Sequence, residues 1–345
     1  KYAHQAGDMY DIRVLFNANE GEHFYGIGQE QQPCLDRKGT ATDMWHYNTK
    51  STLPCVYSSL GYYFLWNNPS PGRVEFGRSR TLWESYCTRQ ADYIVAAAAT
   101  PAIAMRRYAE LTGFSPEMPE WAAGYWQCKL RYESQDDLLE VARKYHAMGI
   151  PVDAIVIDYF HWTEQGNWEF EPSLWPDPKD MCDELYAMGI RPVVSIWPTI
   201  NPASHNWNTM NDENMLLRTE NGQYGTFDFY GQQTFIDPTN PRTREYVWEQ
   251  VKKGYYQYGI RTFWLDEAEP EFHPQQAKHL RYHIGNGAEV GLTYPYYYAK
   301  TFWDGLKAEG ETDVACLTRA AYPGSQTFGA IAWNGDIPST WQALR

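Results

Sequence analysis

The sequence has no Cys-x-x-Cys pair, no lysine- or arginine-rich run, no apolar stretch long enough to cross a bilayer and no glycine-rich phosphate loop. Each absence excludes something. Six cysteines, at 34, 55, 87, 128, 182 and 316, are widely spread, and none pairs with a histidine at zinc spacing. They read as buried thiols in a reducing compartment rather than a disulfide framework. Basic residues number 29 against 43 acidic ones, a formal charge of −14, so the chain repels phosphates and is a poor partner for nucleic acid or an anionic membrane. Without about 20 consecutive apolar residues there is no membrane-spanning helix. Ser-His-Asp chemistry has no nucleophile elbow here, and Cys128 has no recognisable base beside it. Neither a signal peptide nor an Asn-x-Ser/Thr acceptor is present. The opening "KYAHQAGDMYDIRVLF" does not look like a natural start. The thiols favour the cytoplasm; a leader removed ahead of Lys1 would place the chain in the periplasm or outside the cell.

Aromatic residues are abundant, with 15 Trp and 27 Tyr. Their flat faces and polar edges suit stacking on sugars, and the negative charge makes a neutral carbohydrate a better partner than a nucleic acid. A Trp-rich core is the competing reading. At 345 residues and 43% hydrophobic, the chain can bury a large core in one large domain or two.

Residues 10–100 carry β signals. "DIRVLFNANEGEHFYGIGQE" alternates and turns at Gly21, and "GYYFLWNNPSPGRVEFG" (61–77) reads as a hairpin. An antiparallel β-sandwich is expected over 1–113, closed by a helix over 101–113, with "FSPEMPEW" (114–121) as linker. From 122 onward a unit recurs four times: capped helix, glycine, buried strand. Ser134 and Asp177 are the expected caps, with Pro178 at the first helical position. Gly149, Gly189, Gly259 and Gly310 are the expected stops. This is the pattern of parallel α/β architecture, and with no phosphate loop a (β/α)8 TIM barrel is favoured over a doubly wound sheet. Asp158, Trp197, Asp266 and Arg319 then end successive strands on the face where barrels build their sites.

"RTFWLDEAEPEF" (261–272) sets Asp266, Glu267, Glu269 and Glu271 after a short apolar strand, and "AIAWNGDIPSTW" brings Asp336 after another. Two carboxylates at different strand ends are the minimal apparatus of a glycosidase. Asp336 alone also reads as a turn aspartate. The carboxylate cluster also suits a hard cation, but its spacing matches no calcium loop and no metal is expected. Asp158, a lone charge ending "AIVI", requires a partner. Arg319 also reads as a structural ion-pair residue, and Trp126, Trp197, Trp264 and Trp333 as core. His161 and His205 have no partner spacing for a metal or a triad.

Together these stretches resemble glycoside hydrolase family 31 over nearly the whole chain. "FYGIGQEQQPCLDRKGT" resembles its sandwich signature, "GYWQCKLRYESQDDLLEVARKYHAMGIPVDAIVIDYFHW" the first two barrel strands, "FWLDEAEPEF" the nucleophile strand, and "LTRAAYPGSQTFGAIAWNGDIPSTWQALR" the acid/base region. The resemblance implies a retaining hydrolase of α-linked sugars without a cofactor. It makes Asp266 the nucleophile and Asp336 the acid/base. Asp158 and Arg319 would bind sugar hydroxyls, Arg319 also orienting the nucleophile, while Trp264 and Trp333 form walls. It departs from the family at "SIWPTI", where Trp197 replaces a sugar-binding Asp. Tyr159 and Phe160 would narrow the space around C5 and favour a pentose, so α-xylosides are expected ahead of α-glucosides. A binding-only homologue is the non-enzymatic alternative, opposed by the presence of both Asp266 and Asp336. Only six strands can be counted before Arg345, so the barrel (122–345) is expected to be a portion of a longer protein. A homo-oligomer is compatible with the sequence.

Overall fold

A computed structural model describes residues 1–272 and 274–344. The chain begins with β1 (Tyr2–Ala6), β2 (Met9–Asn17), β3 (Phe24–Gln29), β4 (Ala41–Met44), β5 (Ser51–Ser58), β6 (Tyr62–Trp66), β7 (Gly72–Phe76), β8 (Arg80–Thr88) and β9 (Tyr93–Ala97). They form two antiparallel sheets, ordered β1-β2-β8-β7-β4 and β3-β5-β6-β9. Rings from the two sheets meet: Phe16 and Phe64 at 5.7 Å, Phe24 and Phe76 at 4.6 Å, Phe64 and Trp83 at 4.8 Å. Part of the aromatic content is therefore core, and Trp66, Trp83 and Trp175 are fully buried.

The hairpin expected over 61–77 does not form. β6 pairs with β5 and β9, and β7 with β4 and β8, so neither has a free edge for the other. The intervening Asn-Asn-Pro-Ser-Pro segment instead carries the chain from one sheet to the other. It is held there by Asn68, which donates to the Asp92 carbonyl and accepts from the Thr88 hydroxyl. A helix follows at Pro101–Thr112.

The second part contains β10 (Trp126–Cys128), β11 (Ala154–Ile157), β12 (Arg191–Ile196), β13 (Thr199–Ile200), β14 (Arg218–Thr219), β15 (Thr226–Asp228), β16 (Gln232–Phe235), β17 (Thr262–Leu265), β18 (Leu280–Tyr282), β19 (Gly285–Asn286), β20 (Cys316–Thr318) and β21 (Ala330–Ala332). β10-β11-β12-β17-β20-β21 form one parallel sheet in that order, the six strands counted in the sequence. Its central strands are apolar on both faces, as parallel strands covered by helices must be; all four residues of β11 are buried. Ser134 and Asp177 accept the backbone N–H of Asp137 and Asp180, so both expected caps form. Gly189 takes φ +79° just beyond Pro178–Ala187, a turn that a side chain would strain. The helix of the third repeating unit, Pro241–Gly254, departs from expectation. It ends at Gly254 and a 3-10 turn, Tyr256–Tyr258, leads to Gly259. Its last turn abuts the Trp168 carbonyl, which a Cβ on Gly254 would meet at 1.9 Å.

The remaining short strands form two three-stranded antiparallel sheets, β13-β16-β15 and β14-β18-β19. Among the described residues no helix is long and apolar enough to cross a membrane. All six cysteines are free. Cys87, Cys182 and Cys316 are buried as expected, whereas Cys34 and Cys128 are exposed.

Candidate active site

Strand register assembles the site. Ile196 is level with Leu265, Leu265 with Thr318, and Thr318 with Ala332. The next residues, Trp197, Asp266, Arg319 and Trp333, therefore stand in one row at the carboxyl ends of four neighbouring strands. The backbone continues the ladder into this row: Asp266 N–H donates to Ile196 O at 3.2 Å, Arg319 N–H to Leu265 O at 3.2 Å, and Trp333 N–H to Thr318 O at 2.8 Å. Asp158 follows β11 on the next strand over and is buried.

Arg319 organises the acidic cluster. Its guanidinium is 3% exposed and forks onto Glu269, with Nε to Oε1 at 2.8 Å and Nη2 to Oε2 at 3.1 Å. Nη2 also meets Glu267 at 2.9 Å and Glu271 at 3.2 Å, while Nη1 faces Asp266 Oδ1 at 3.2 Å without hydrogen-bond alignment. Arg319 thus faces the expected nucleophile, and its guanidinium is committed to carboxylates rather than open to the pocket. One cation cannot neutralise four anions in a buried site, so protons must remain on some of them. Burial pushes Asp266 up to about 7, Arg319 opposing and Glu269 and Asp336 adding to the rise. Burial also raises Glu267 well above the usual range. Asp158 is pushed up to about 6, again by burial first, with the Asp336 charge adding and the Tyr159 N–H and Arg131 opposing.

Asp336 differs from these in being exposed. It is held by a residue from the antiparallel part of the chain. Asn48 Nδ2 donates to Asp336 Oδ2 at 2.6 Å, and Asp336 N–H donates back to Asn48 Oδ1 at 2.9 Å. The loop bearing Asn48 is docked on the loops that follow β17 and β20 by Trp45 Nε1, which donates to Phe272 O at 2.8 Å, and by Ser51, whose hydroxyl accepts the Ala321 N–H at 2.9 Å.

An aromatic wall stands beside the row. Trp197 lies 5.5 Å from Tyr159 and 5.1 Å from Phe229; Phe160, at φ +64°, stacks on Phe229 at 6.1 Å and meets Tyr230 edge-on at 4.9 Å. Arg131 covers the Tyr159 and Phe160 rings. Trp264 and Trp333 meet edge-on at 5.1 Å. The indole N–H groups of Trp197 and Trp264 are buried with no hydrogen-bond partner among the described residues. Trp121, Trp175 and Trp248 carry the same buried, unpaired indole N–H, so the feature is not peculiar to the site.

Of the eight residues expected from the sequence, Asp158, Trp197, Asp266, Arg319 and Trp333 directly follow their strands, Trp264 lies within β17, and Phe160 and Asp336 lie in the loops just beyond β11 and β21. Sequence reasoning missed Asn48, Arg131, Phe229 and Tyr230. Phe229 and Tyr230 sit at the tip between β15 and β16, where only "FDFYG", an aromatic run ending in glycine, marks them. His161 is structural, bonded to Asp158 O and to the Tyr255 hydroxyl at 2.8 Å each, and burial pushes it down to about 4. Among the described residues no group of three or more His, Cys, Asp or Glu is arranged to hold a metal ion.

Residues 115–345 match the family model described as the glycosyl hydrolases family 31 TIM-barrel domain. An uncharacterized family 31 glucosidase of Pseudescherichia vulneris is 44% identical over 98% of this chain and 64% of its own length. Alpha-xylosidase A of Aspergillus niger is 33% identical over 98% of this chain and 50% of its own. The crystal structure of a GH31 alpha-xylosidase from a soil metagenome, complexed with xylose, superposes with TM-score 0.94 at 46% identity, covering 97% of this chain and 50% of that one. The chain thus spans between half and two thirds of the length of these relatives.

Proposed function

The chain belongs to glycosyl hydrolase family 31, and on that premise we propose that it carries the catalytic carboxylates of a retaining, exo-acting α-glycosidase whose preferred substrates are α-xylosides. One observation carries this most: two carboxylates stand at the same end of one parallel sheet, Asp266 after β17 buried against a guanidinium and Asp336 on the turn after β21 exposed. The Arg319 guanidinium favours the ionised form that a nucleophile needs, and the exposed turn leaves Asp336 open to the protons that an acid/base exchanges. Asp266, ionised, attacks the anomeric carbon as Asp336 gives its proton to the departing oxygen. Asp336 then takes a proton from water, whose oxygen displaces Asp266 and restores the α configuration. Arg319 fixes the Asp266 carboxylate. Asp158 binds sugar hydroxyls, and Trp197, Trp264, Trp333 and Phe160 form walls. No cofactor enters these steps. The same proposal divides the chain into an N-terminal β-sandwich unit (1–113), a linker (114–121) and the catalytic barrel (122–345).

Two features favour a pentose. Relatives carrying the α-xylosidase name cover nearly the whole chain, and Phe160, Phe229 and Trp197 crowd the side next to Asp158. The glucosidase name of the Pseudescherichia relative keeps α-glucosides as the second reading. The test compares p-nitrophenol release from the α-xyloside and the α-glucoside by the whole protein, with Asp266→Ala as control and EDTA present in one arm. Faster turnover of the xyloside, lost in Asp266→Ala and indifferent to EDTA, is expected. A faster glucoside reverses the sugar assignment. Sugar binding without turnover leaves a binding protein, and chelator-sensitive turnover restored by zinc or calcium overturns the two-carboxylate mechanism.

A further inference from the structure

We propose that Asn48, from the antiparallel part of the chain, is the positioning residue for Asp336 and decides which of its oxygens delivers the proton. The inference rests on Asp336 being the acid/base. The hydrogen-bond chemistry is directional. The Asp336 backbone N–H can only donate, so the oxygen of the Asn48 amide must face it, at 2.9 Å. The amide nitrogen is thereby turned toward the carboxyl and donates to Oδ2 at 2.6 Å. An amide nitrogen only donates, and the carbonyl oxygen of a protonated carboxyl accepts better than its hydroxyl oxygen, so this bond favours Oδ2 as the carbonyl oxygen and Oδ1 as the one that carries the proton. During glycosylation the proton leaves Oδ1 for the departing oxygen as the C–O bond breaks and Asp266 bonds to the anomeric carbon. In the second step Oδ1 takes a proton from the attacking water.

The seating of the loop is independent of that pair. A Cβ on Gly335 would lie 2.4 Å from Thr49 N and 2.7 Å from Asn48 Oδ1, so only glycine lets the two segments approach this closely. Gln29 Nε2 donates to Asn334 Oδ1 at 3.1 Å, gripping the same turn one residue earlier. The Asn48 loop is itself anchored: Tyr47 and Lys50 exchange backbone hydrogen bonds at 3.1 and 2.7 Å, and buried Lys50 pairs with Glu30 at 3.0 Å. The Asn48 backbone N–H also opposes the rise that burial gives the Glu271 carboxyl, a member of the Arg319 cluster.

A positioning role for an acid has a signature that a structural role lacks: the loss grows as the leaving group becomes a weaker acid, because a good leaving group departs without protonation. The experiment measures kcat/KM of the whole protein and of Asn48→Ala on a series of aryl α-glycosides, from dinitrophenyl to phenyl, of whichever sugar the wild type hydrolyses. Asn48→Ala should lose roughly 10- to 100-fold on the phenyl glycoside and far less on the dinitrophenyl one. Asn48→Ser, which keeps a short donor, should recover part of the loss, and thermal melts of both variants establish that they are folded. A loss equal across the series, or no loss at all, overturns the proposal. Asp336→Ala is run alongside. If it shows the steep leaving-group dependence and Asn48→Ala does not, only the positioning role falls. If Asp336→Ala shows no such dependence, the acid/base assignment falls with it.

Discussion

The two ends of the site are held in opposite ways. Asp266 lies within the parallel sheet, its backbone continuing the ladder of β12 and β17, its carboxyl buried beside one guanidinium and three further carboxylates. Asp336 lies on an exposed turn past β21, held by a single amide from a loop 288 positions earlier in the chain. Burial and a fixed charge suit a group that must attack in one geometry. An exposed carboxyl with one oxygen tied and one free suits a group that must gain and lose a proton in every cycle. The contrast teaches that the fold fixes the first group, while contact between two parts of the chain fixes the second.

The sharpest way to break this contrast is to remove each carboxylate in turn. Asp266→Ala should cost on the order of 10^4-fold or more in kcat, whatever the leaving group. Asp336→Ala should cost about 10^2- to 10^4-fold in kcat/KM for poor leaving groups and little for good ones, while its kcat falls on both because water is no longer activated in the second step. Azide separates the roles by stereochemistry. In Asp336→Ala it takes the place of water and gives an α-glycosyl azide. In Asp266→Ala it attacks from the face the nucleophile occupied and gives the β-azide. The same anomer from both variants would mean that the two groups do not play different parts.

Much of this was legible beforehand, for a physical reason. A parallel strand covered on both faces reads as an unbroken apolar run, so a charge at its end, as in Asp158 or Asp266, stands out. The glycine after each helix added the period. The antiparallel half was less legible, because alternation shows which face of a strand is inward and not which of two sheets it joins. The pattern of β6 and β7 therefore suggests a hairpin although the two strands join different sheets. Asn48 was illegible altogether. An asparagine in a loop carries no local signature, and its function exists only where the two parts of the chain touch.

The next effect in size separates stability from chemistry. Arg319 should be structural as well as functional, because removing it leaves four carboxyls without their cation. Arg319→Met should destabilise the whole protein by about 3–5 kcal/mol at neutral pH, measured by urea unfolding. The sign with pH follows from the direction of the shifts. Arg319 holds Asp266, Glu267 and Glu271 lower than they would otherwise be. Without it their folded values rise further above the unfolded ones, so the deficit is greatest above about pH 7 and narrows as the carboxyls protonate on acidification. Asn48→Ala, at the exposed end, should cost no more than about 1 kcal/mol and show no such trend. A deficit for Arg319→Met that does not change with pH would mean that the cluster is not charged as described.

The smallest effect tests the electrostatics of Asp266 itself. Burial raises its carboxyl from an ordinary 3.8 to about 7, and in the role proposed for it only the ionised form attacks. kcat/KM, which reports the free enzyme, should therefore rise with pH through about 7, with Asp158 adding an inflection near about 6. Stability should run the other way. A carboxyl whose folded value is raised contributes stability that is complete below its ordinary value and is lost as pH climbs through the folded one. Asp266→Asn, which cannot ionise, should abolish that share of the loss between about pH 4 and 7 while abolishing turnover at every pH. Activity and stability thus oppose each other at one residue, as expected where a buried group must be charged to work. An acid limb lying below about pH 5, or an Asp266→Asn melting profile parallel to the wild type, would show that the nucleophile is far better solvated than its burial implies.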